Sequence, residues 1–181
     1  KTALVLQLKE KMGVQNILDR ERELHEIVWK KFAQLKNTHV LANNFSKRLG
    51  VYSFYIDDLH FNLAVQLLND KFGIQVRGGC SCAGTYGHIL LNVEQHQSSS
   101  ITKKINKGDL TTKPGWVRMS IHPVMTDIEV HFIMNAIEDL SKNHKEWAVD
   151  YKYNKKRNEF VYKDASFSLK NKHRAESWFK L

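Results

Sequence analysis

The sequence predicts a single small α/β (α+β) domain in which a mixed or antiparallel sheet is packed with helices. Three observations carry that prediction. Segments with helical spacing of apolar residues alternate with short runs of period two. Glycine or proline marks most of the boundaries between them. The chain has 181 residues, enough for one domain with a substantial core.

Leu4, Val5, Leu8 and Met12 have helical spacing, and Gly13 stands where a C-terminal cap belongs. A second helix is expected from Asn16 to Lys36, with Ile17, Leu24, Val28, Lys31 and Leu35 on one stripe. Thr38–Asn43 and Leu49–Asp57 read as strands. In the latter, Tyr52, Phe54 and Ile56 alternate with Val51, Ser53 and Tyr55, so both faces are partly covered. Leu59 to Phe72 reads as a helix that turns Leu63, Leu67 and Phe72 inward and ends at Gly73. Ile74–Arg77 reads as a strand with Ile74 and Val76 on one side and Gln75 and Arg77 on the other.

Tyr86–Leu91 is expected as a short helix, Asn92–Ser100 as polar loop, and Ile101–Lys107 as a brief helix stopped by Gly108. Pro114-Gly115 turns into a strand over Trp116–Ile121. There Val117, Met119 and Ile121 share one face, and Arg118 lies opposite with Trp116 and Ser120. Thr126 and Glu129 form a capping-box pair that opens a helix with Val130, Ile133, Met134, Ile137 and Leu140 in register. A hairpin near Tyr151–Tyr162 and a terminal helix near Ser166–Leu181 complete the chain.

Composition narrows the function classes. Hydrophobic residues at 42% and charged residues at 26% are ordinary for a globular domain. No apolar run reaches the roughly 20 residues of a membrane span, and the first residues read as an amphipathic helix, not a signal peptide. The chain lacks a starting Met and reads as a piece of a longer polypeptide. Its only cysteines, Cys80 and Cys82, stand one residue apart, a separation that strains a disulfide. Free thiols point to a reducing, cytoplasmic setting. The net charge of +9 is concentrated after Leu140, with eleven Lys/Arg against five Asp/Glu there. Without aromatic-interleaved basic motifs, that reads as a solvated tail and not as a nucleic-acid site.

Chemistry gathers in two places. Arg77 and Arg118 each occupy the polar side of a strand. If those strands are neighbours, both guanidiniums leave the same face, and a planar fork of donors suits a carboxylate or phosphate. Surface ion pairing is the alternative. Cys82 follows a glycine-rich turn and precedes a short helix, a setting that favours the nucleophilic thiolate; a buried inert thiol is the alternative, and Cys80 is the weaker nucleophile. Cys80, Cys82, His88 and His96 can be assembled as zinc ligands, but Cys-x-Cys is not the usual knuckle spacing, so no metal is expected. His122 before Pro123 and His60 after Leu59 read as structural, ending a strand and starting a helix.

Two stretches carry a resemblance. Gly73-Ile74-Gln75-Val76-Arg77-Gly78-Gly79-Cys80-Ser81-Cys82-Ala83 and Gly115-Trp116-Val117-Arg118-Met119-Ser120-Ile121-His122-Pro123 together resemble the C-terminal small domain of class V aminotransferase-fold enzymes. These are pyridoxal phosphate proteins of fold type I that include cysteine desulfurases and selenocysteine lyases. The resemblance covers roughly residues 1 to 140.

It implies that Arg118 grips the α-carboxylate of an amino-acid substrate and that Arg77 is a basic residue at the edge of the site. Cys82 falls where desulfurases hold the thiol that attacks substrate sulfur and becomes a persulfide. Gly79-Cys80-Ser81 departs from the histidines that often precede that cysteine.

The resemblance also implies a division of the chain: 1–36 as the end of a large domain and its connection, 37–146 as the small domain, 147–181 as a basic extension. A parent enzyme would add an N-terminal domain with the Schiff-base lysine and dimerise through it. No stretch here resembles that lysine's context. The expectation is therefore a chain that binds no cofactor covalently and is inactive alone. A binding module that uses Arg77, Arg118 and the basic tail to hold an acidic partner or RNA is the alternative from a different class.

Overall fold

The computed structural model describes residues 2–45, 47–80 and 84–164. Two helices lead, α1 over Thr2–Met12 and α2 over Val14–Phe32. The strands β1 (Thr38–Val40) and β2 (Val51–Ile56) follow, then α3 (Phe61–Phe72), β3 (Arg77–Gly79), α4 (Gly84–Leu90) and α5 (Gln95–Asn106). Next come β4 (Trp116–Ser120), α6 (Asp127–Trp147), a 3-10 turn over Ala148–Asp150, and a hairpin of β5 (Tyr151–Asn154) and β6 (Glu159–Tyr162). Among the described residues no helix is long and apolar enough to cross a membrane.

The first four strands form one antiparallel sheet in the order β1-β2-β4-β3. Its two faces differ sharply, as antiparallel sheets allow. Tyr52, Phe54, Ile56, Val117 and Met119 are all buried on one face. Against them pack Leu24, Val28 and Phe32 of α2, Leu67 and Leu68 of α3, and Val130, Met134, Ile137 and Leu140 of α6. The other face carries His39, Ser53, Tyr55, Arg77 and Arg118, none of them buried.

The local signals behind this arrangement are physical. Thr126 accepts from the Glu129 backbone N–H at 3.2 Å, and the Glu129 carboxylate accepts from the Thr126 N–H at 2.8 Å, which closes the box that starts α6. Gly73 takes φ 68° and donates its N–H to Asn69 O, ending α3 in a conformation other residues resist. Arg48 donates to the carbonyls of Leu41 and Phe45 and lies 4.9 Å over the Trp29 ring, which pins the β1–β2 connection onto α2. His60 caps α3, and its ring stacks on Phe61 and meets Tyr153 and Phe160, while the Tyr151 hydroxyl donates to Asp70. The expected hairpin therefore exists, and it is wrapped onto α3.

Several boundaries differ from expectation. The α2 helix runs Val14–Phe32, and Leu35 is buried in the turn after it. The strands are shorter than expected, Thr38–Val40 and Val51–Ile56, because pairing with the neighbour ends there. Residues 74–76 keep the alternation expected of a strand, yet the ladder to β4 begins only at Arg77. The loop expected over Asn92–Ser100 ends at Glu94: α5 begins at Gln95 and absorbs the brief helix expected at Ile101, running to Asn106. Its start is held by the Gln97 side chain, which accepts from the Glu94 N–H at 3.3 Å. The terminal helix expected near Ser166–Leu181 lies outside the described residues.

Candidate functional site

The β3–β4 ladder sets Arg77 directly opposite Arg118, Gly78 opposite Val117 and Gly79 opposite Trp116. On the other flank of β4, Ser53 of β2 stands opposite Arg118. Side chains alternate along a strand, so the burial of Val117 and Met119 forces Arg118 to the open face. Directly opposed residues point the same way, so Arg77 follows. The condition under which the two arginines share a face is met.

Both arginines are exposed, and among the described residues neither takes part in a hydrogen bond, an ion pair or a ring contact. The imidazole on this side is engaged. His39 stacks on Tyr55 with centroids 4.8 Å apart and bonds the Asp57 carboxylate at 2.9 Å. Ser53, half-buried beside Arg118, adds a hydroxyl. The site as built is a pair of guanidiniums in a row of small and neutral groups, which suits anion binding.

One end of the face is closed. Trp116 shares this face with Arg118, as expected from the alternation, yet it is buried. The reason is α4: a Cβ at Gly87 would stand 3.3 Å from the indole and 3.7 Å from Cys80, so the helix backbone sits on that ring. A Cβ at Gly79, by contrast, would meet none of the described residues within 4 Å.

Cys80 donates its thiol to Pro114 O at 2.6 Å. Burial pushes that thiol up from its ordinary pKa, with Lys113 opposing, and a raised pKa disfavours the thiolate. Cys82, the position expected to carry the reactive thiol, lies outside the described residues.

The histidines are spread apart. His88 bonds Ser98 at 2.9 Å, tying α4 to α5, and His96 pairs with Glu94 at 3.1 Å. Among the described residues no three metal-ligating side chains come together. His122 accepts from the Val124 N–H at 3.3 Å and His60 from the Asn62 N–H at 3.1 Å, so each serves backbone groups as its position suggested. Sequence reasoning missed Ser53 and the His39–Tyr55 stack as members of the open face. The alternation in 51–56 placed Ser53 and Tyr55 together, but only the strand order brings them beside Arg118. A groove of about 480 Å³ also opens where residues 74–76 leave the sheet, walled by Val76, Met119, Ile128 and Phe132. It is apolar apart from groups such as Glu129, whose carboxylate is engaged by Thr126.

Comparisons with known proteins bear on this geometry. A family model described as aminotransferase class-V matches residues 2–133. The chain is similar to the apo structure of the cysteine desulfurase from Thermococcus onnurineus NA1, with 25% identity and a TM-score of 0.51, over 74% of this chain and 28% of that one. It is also similar to the cysteine desulfurase CsdA (S-sulfonic acid) from Escherichia coli, with 18% identity and a TM-score of 0.45 over the same shares. The chain thus spans 28% of the length of each of these structures. No curated protein matches it.

Proposed function

This chain belongs to the class V aminotransferase family, and on that premise we propose that it is the C-terminal, substrate-carboxylate domain of a pyridoxal phosphate enzyme of the cysteine desulfurase or selenocysteine lyase type. The single observation that carries the reading is the pair Arg77 and Arg118, opposed on a bare sheet face and without protein partners among the described residues. Arg118, central in the sheet and flanked by Ser53, takes the α-carboxylate of an amino acid in a bidentate fork. Arg77 lines the same site from the edge strand. Cys82, three residues after β3 in the sequence, supplies the thiol nucleophile.

The open face fits the acid group of a substrate better than it fits the cofactor. Beside Val51 and Trp116, its described side chains are guanidinium, imidazole, hydroxyl and phenol groups, and no lysine amine stands among them. The cofactor's anchor would then belong to an N-terminal domain of the parent enzyme, which dimerises and lays its cofactor against this face. The α1 helix supports that arrangement: it buries no residue, and Leu4, Val5, Leu6 and Leu8 are each more than half exposed. Contiguous apolar surface of this kind marks an interface. In this reading 1–36 connects the two domains, 37–146 is the small domain and 147–181 an extension. The isolated chain has no catalysis of its own.

The test is to incubate the chain with pyridoxal phosphate, reduce with borohydride and measure its mass and the modified position. The reading predicts only scattered, substoichiometric labelling of surface lysines. A stoichiometric adduct on one lysine contradicts it.

A further inference from the structure

We propose that a basic surface, formed where the end of α5 meets the turn of the β5–β6 hairpin, is the docking site for a carboxylate-rich segment of a partner protein. It uses neither arginine of the open sheet face, and its hairpin half lies beyond the residues 2–133 that the family model matches.

Six exposed cations make this surface: Lys103, Lys104 and Lys107 at the end of α5, and Lys155, Lys156 and Arg157 in the hairpin turn. The two runs are far apart in sequence, and Asp109 shows that the fold joins them. Its carboxylate accepts from the Thr111 N–H at 3.0 Å and from the Thr111 hydroxyl. Those bonds hold it below the ordinary carboxylate range, and Lys155 of the hairpin and Lys104 of α5 both add to the effect.

One carboxylate, itself engaged by Thr111, does not neutralise six cations. None of the six forms an ion pair among the described residues, and Glu159, the only acid within β5 and β6, stands opposite Asn154. Elsewhere the fold pairs its cations: Arg20 with Glu23 and Asp127, Lys31 and Lys142 with Glu138, Lys145 with Asp58. Lys103 and Lys107 stand one helical turn apart, where like charges repel. An acidic partner relieves that repulsion.

The hairpin turn is fixed in place. Asn154 Oδ1 accepts from the N–H groups of Lys156 and Arg157 at 3.1 and 3.3 Å. Asn158 takes φ 55°, its carbonyl accepts from the Asn62 side chain of α3, and its side chain accepts from the Tyr153 hydroxyl at 2.9 Å. A turn held in this way costs little ordering when a partner binds.

The chemistry of the six favours carboxylates over a nucleic acid. Five are lysines, compact point charges, and only Arg157 offers the planar fork that suits phosphate. Among the described residues no exposed aromatic ring stands between them for a base to stack on, since Tyr153 is half-buried against His60 and Phe160.

The experiment follows the fluorescence anisotropy of a labelled oligo-glutamate peptide titrated with the full 181-residue chain at low ionic strength. Oligo-uridylate of the same net charge is the comparison. We expect oligo-glutamate to bind more tightly than oligo-uridylate, and its affinity to fall as salt shortens the Debye length to about 10 Å at 0.1 M. Lys103→Glu/Lys156→Glu should weaken it roughly tenfold, and Lys107→Glu/Arg157→Glu should do the same. Lys9→Glu/Lys11→Glu on α1 changes the net charge equally and should leave the affinity within about twofold.

Absence of oligo-glutamate binding at low ionic strength, or patch variants that lose no more than the α1 variant, would overturn the docking surface. Tighter binding of oligo-uridylate through the same residues would overturn the acidic partner in favour of a nucleic acid.

Discussion

Arg77 stands directly opposite Arg118 across the β3–β4 ladder, and neither guanidinium is neutralised by a protein group among the described residues. Like charges directly opposite are unfavourable, by about 0.2–1 kcal/mol for an opposed pair. A fold tolerates that where the pair serves a ligand. Replacing one arginine with a neutral strand former should therefore stabilise the protein. Arg77→Thr is expected to raise the urea midpoint at low ionic strength, and the gain should shrink in molar salt, where the Debye length falls to about 3 Å. A variant less stable than wild type at low salt would show that Arg77 is held by a favourable interaction and is not waiting for an anion.

The His60 cap makes stability depend on pH in a definite direction. The Nδ1 atom accepts the Asn62 N–H and must stay unprotonated, while the buried Nε2 has no partner among the described residues. Burial lowers the pKa of this ring from its ordinary 6.5. The unfolded chain therefore takes up the proton first. The contribution is fully present above pH 6.5 and is lost as pH falls through the lower, folded value. His25, lowered by burial and then by Arg48, adds a slope of the same sign. Asn at position 60 keeps an acceptor at the cap and does not titrate. His60→Asn should lower the melting temperature, through lost ring packing, and flatten the loss of stability just below pH 6.5. An unchanged slope would assign the titration elsewhere. The carboxylates are separable: Glu138, held down to about 2 by Lys142 and Lys31, contributes stability that is fully present above pH 4.5 and lost only as pH falls from there toward 2.

The entry to β4 has no room for a side chain at Gly115. An added Cβ would come within 2.6 Å of the buried Phe61 ring. Gly115→Ala should cost about 1–3 kcal/mol by overpacking and displace the strand that carries Trp116 and Arg118. Chemical denaturation measures the cost. A change below about 0.5 kcal/mol, the range of an ordinary surface substitution, would mean that Phe61 swings away freely.

Much of this was legible in the chain. Val117, Met119 and Ile121 announce a buried face and so expose Arg118. Gly73 and the Thr126–Glu129 box mark helix ends that the structure keeps. What alternation does not carry is adjacency. Residues 74–76 alternate because they skirt the core, while the ladder begins at Arg77, and the pairing of β3 with β4 follows from a crossover that the sequence does not spell out. Trp116 keeps its parity with Arg118 but is buried because α4, a separate element, lies on it. The α5 helix escaped because Gln95–Ser100 is polar and its start relies on Glu94 with Gln97 instead of a Ser, Thr or Asp cap.

The central claim is that Arg118 receives the carboxylate of an amino acid, and thermal unfolding at low ionic strength tests it most directly. L-Alanine and L-alaninamide differ only in that acid group. The account predicts that alanine raises the melting temperature, alaninamide does not, and the rise disappears in Arg118→Ala. Equal shifts with both ligands, or a shift that survives in Arg118→Ala, would contradict it.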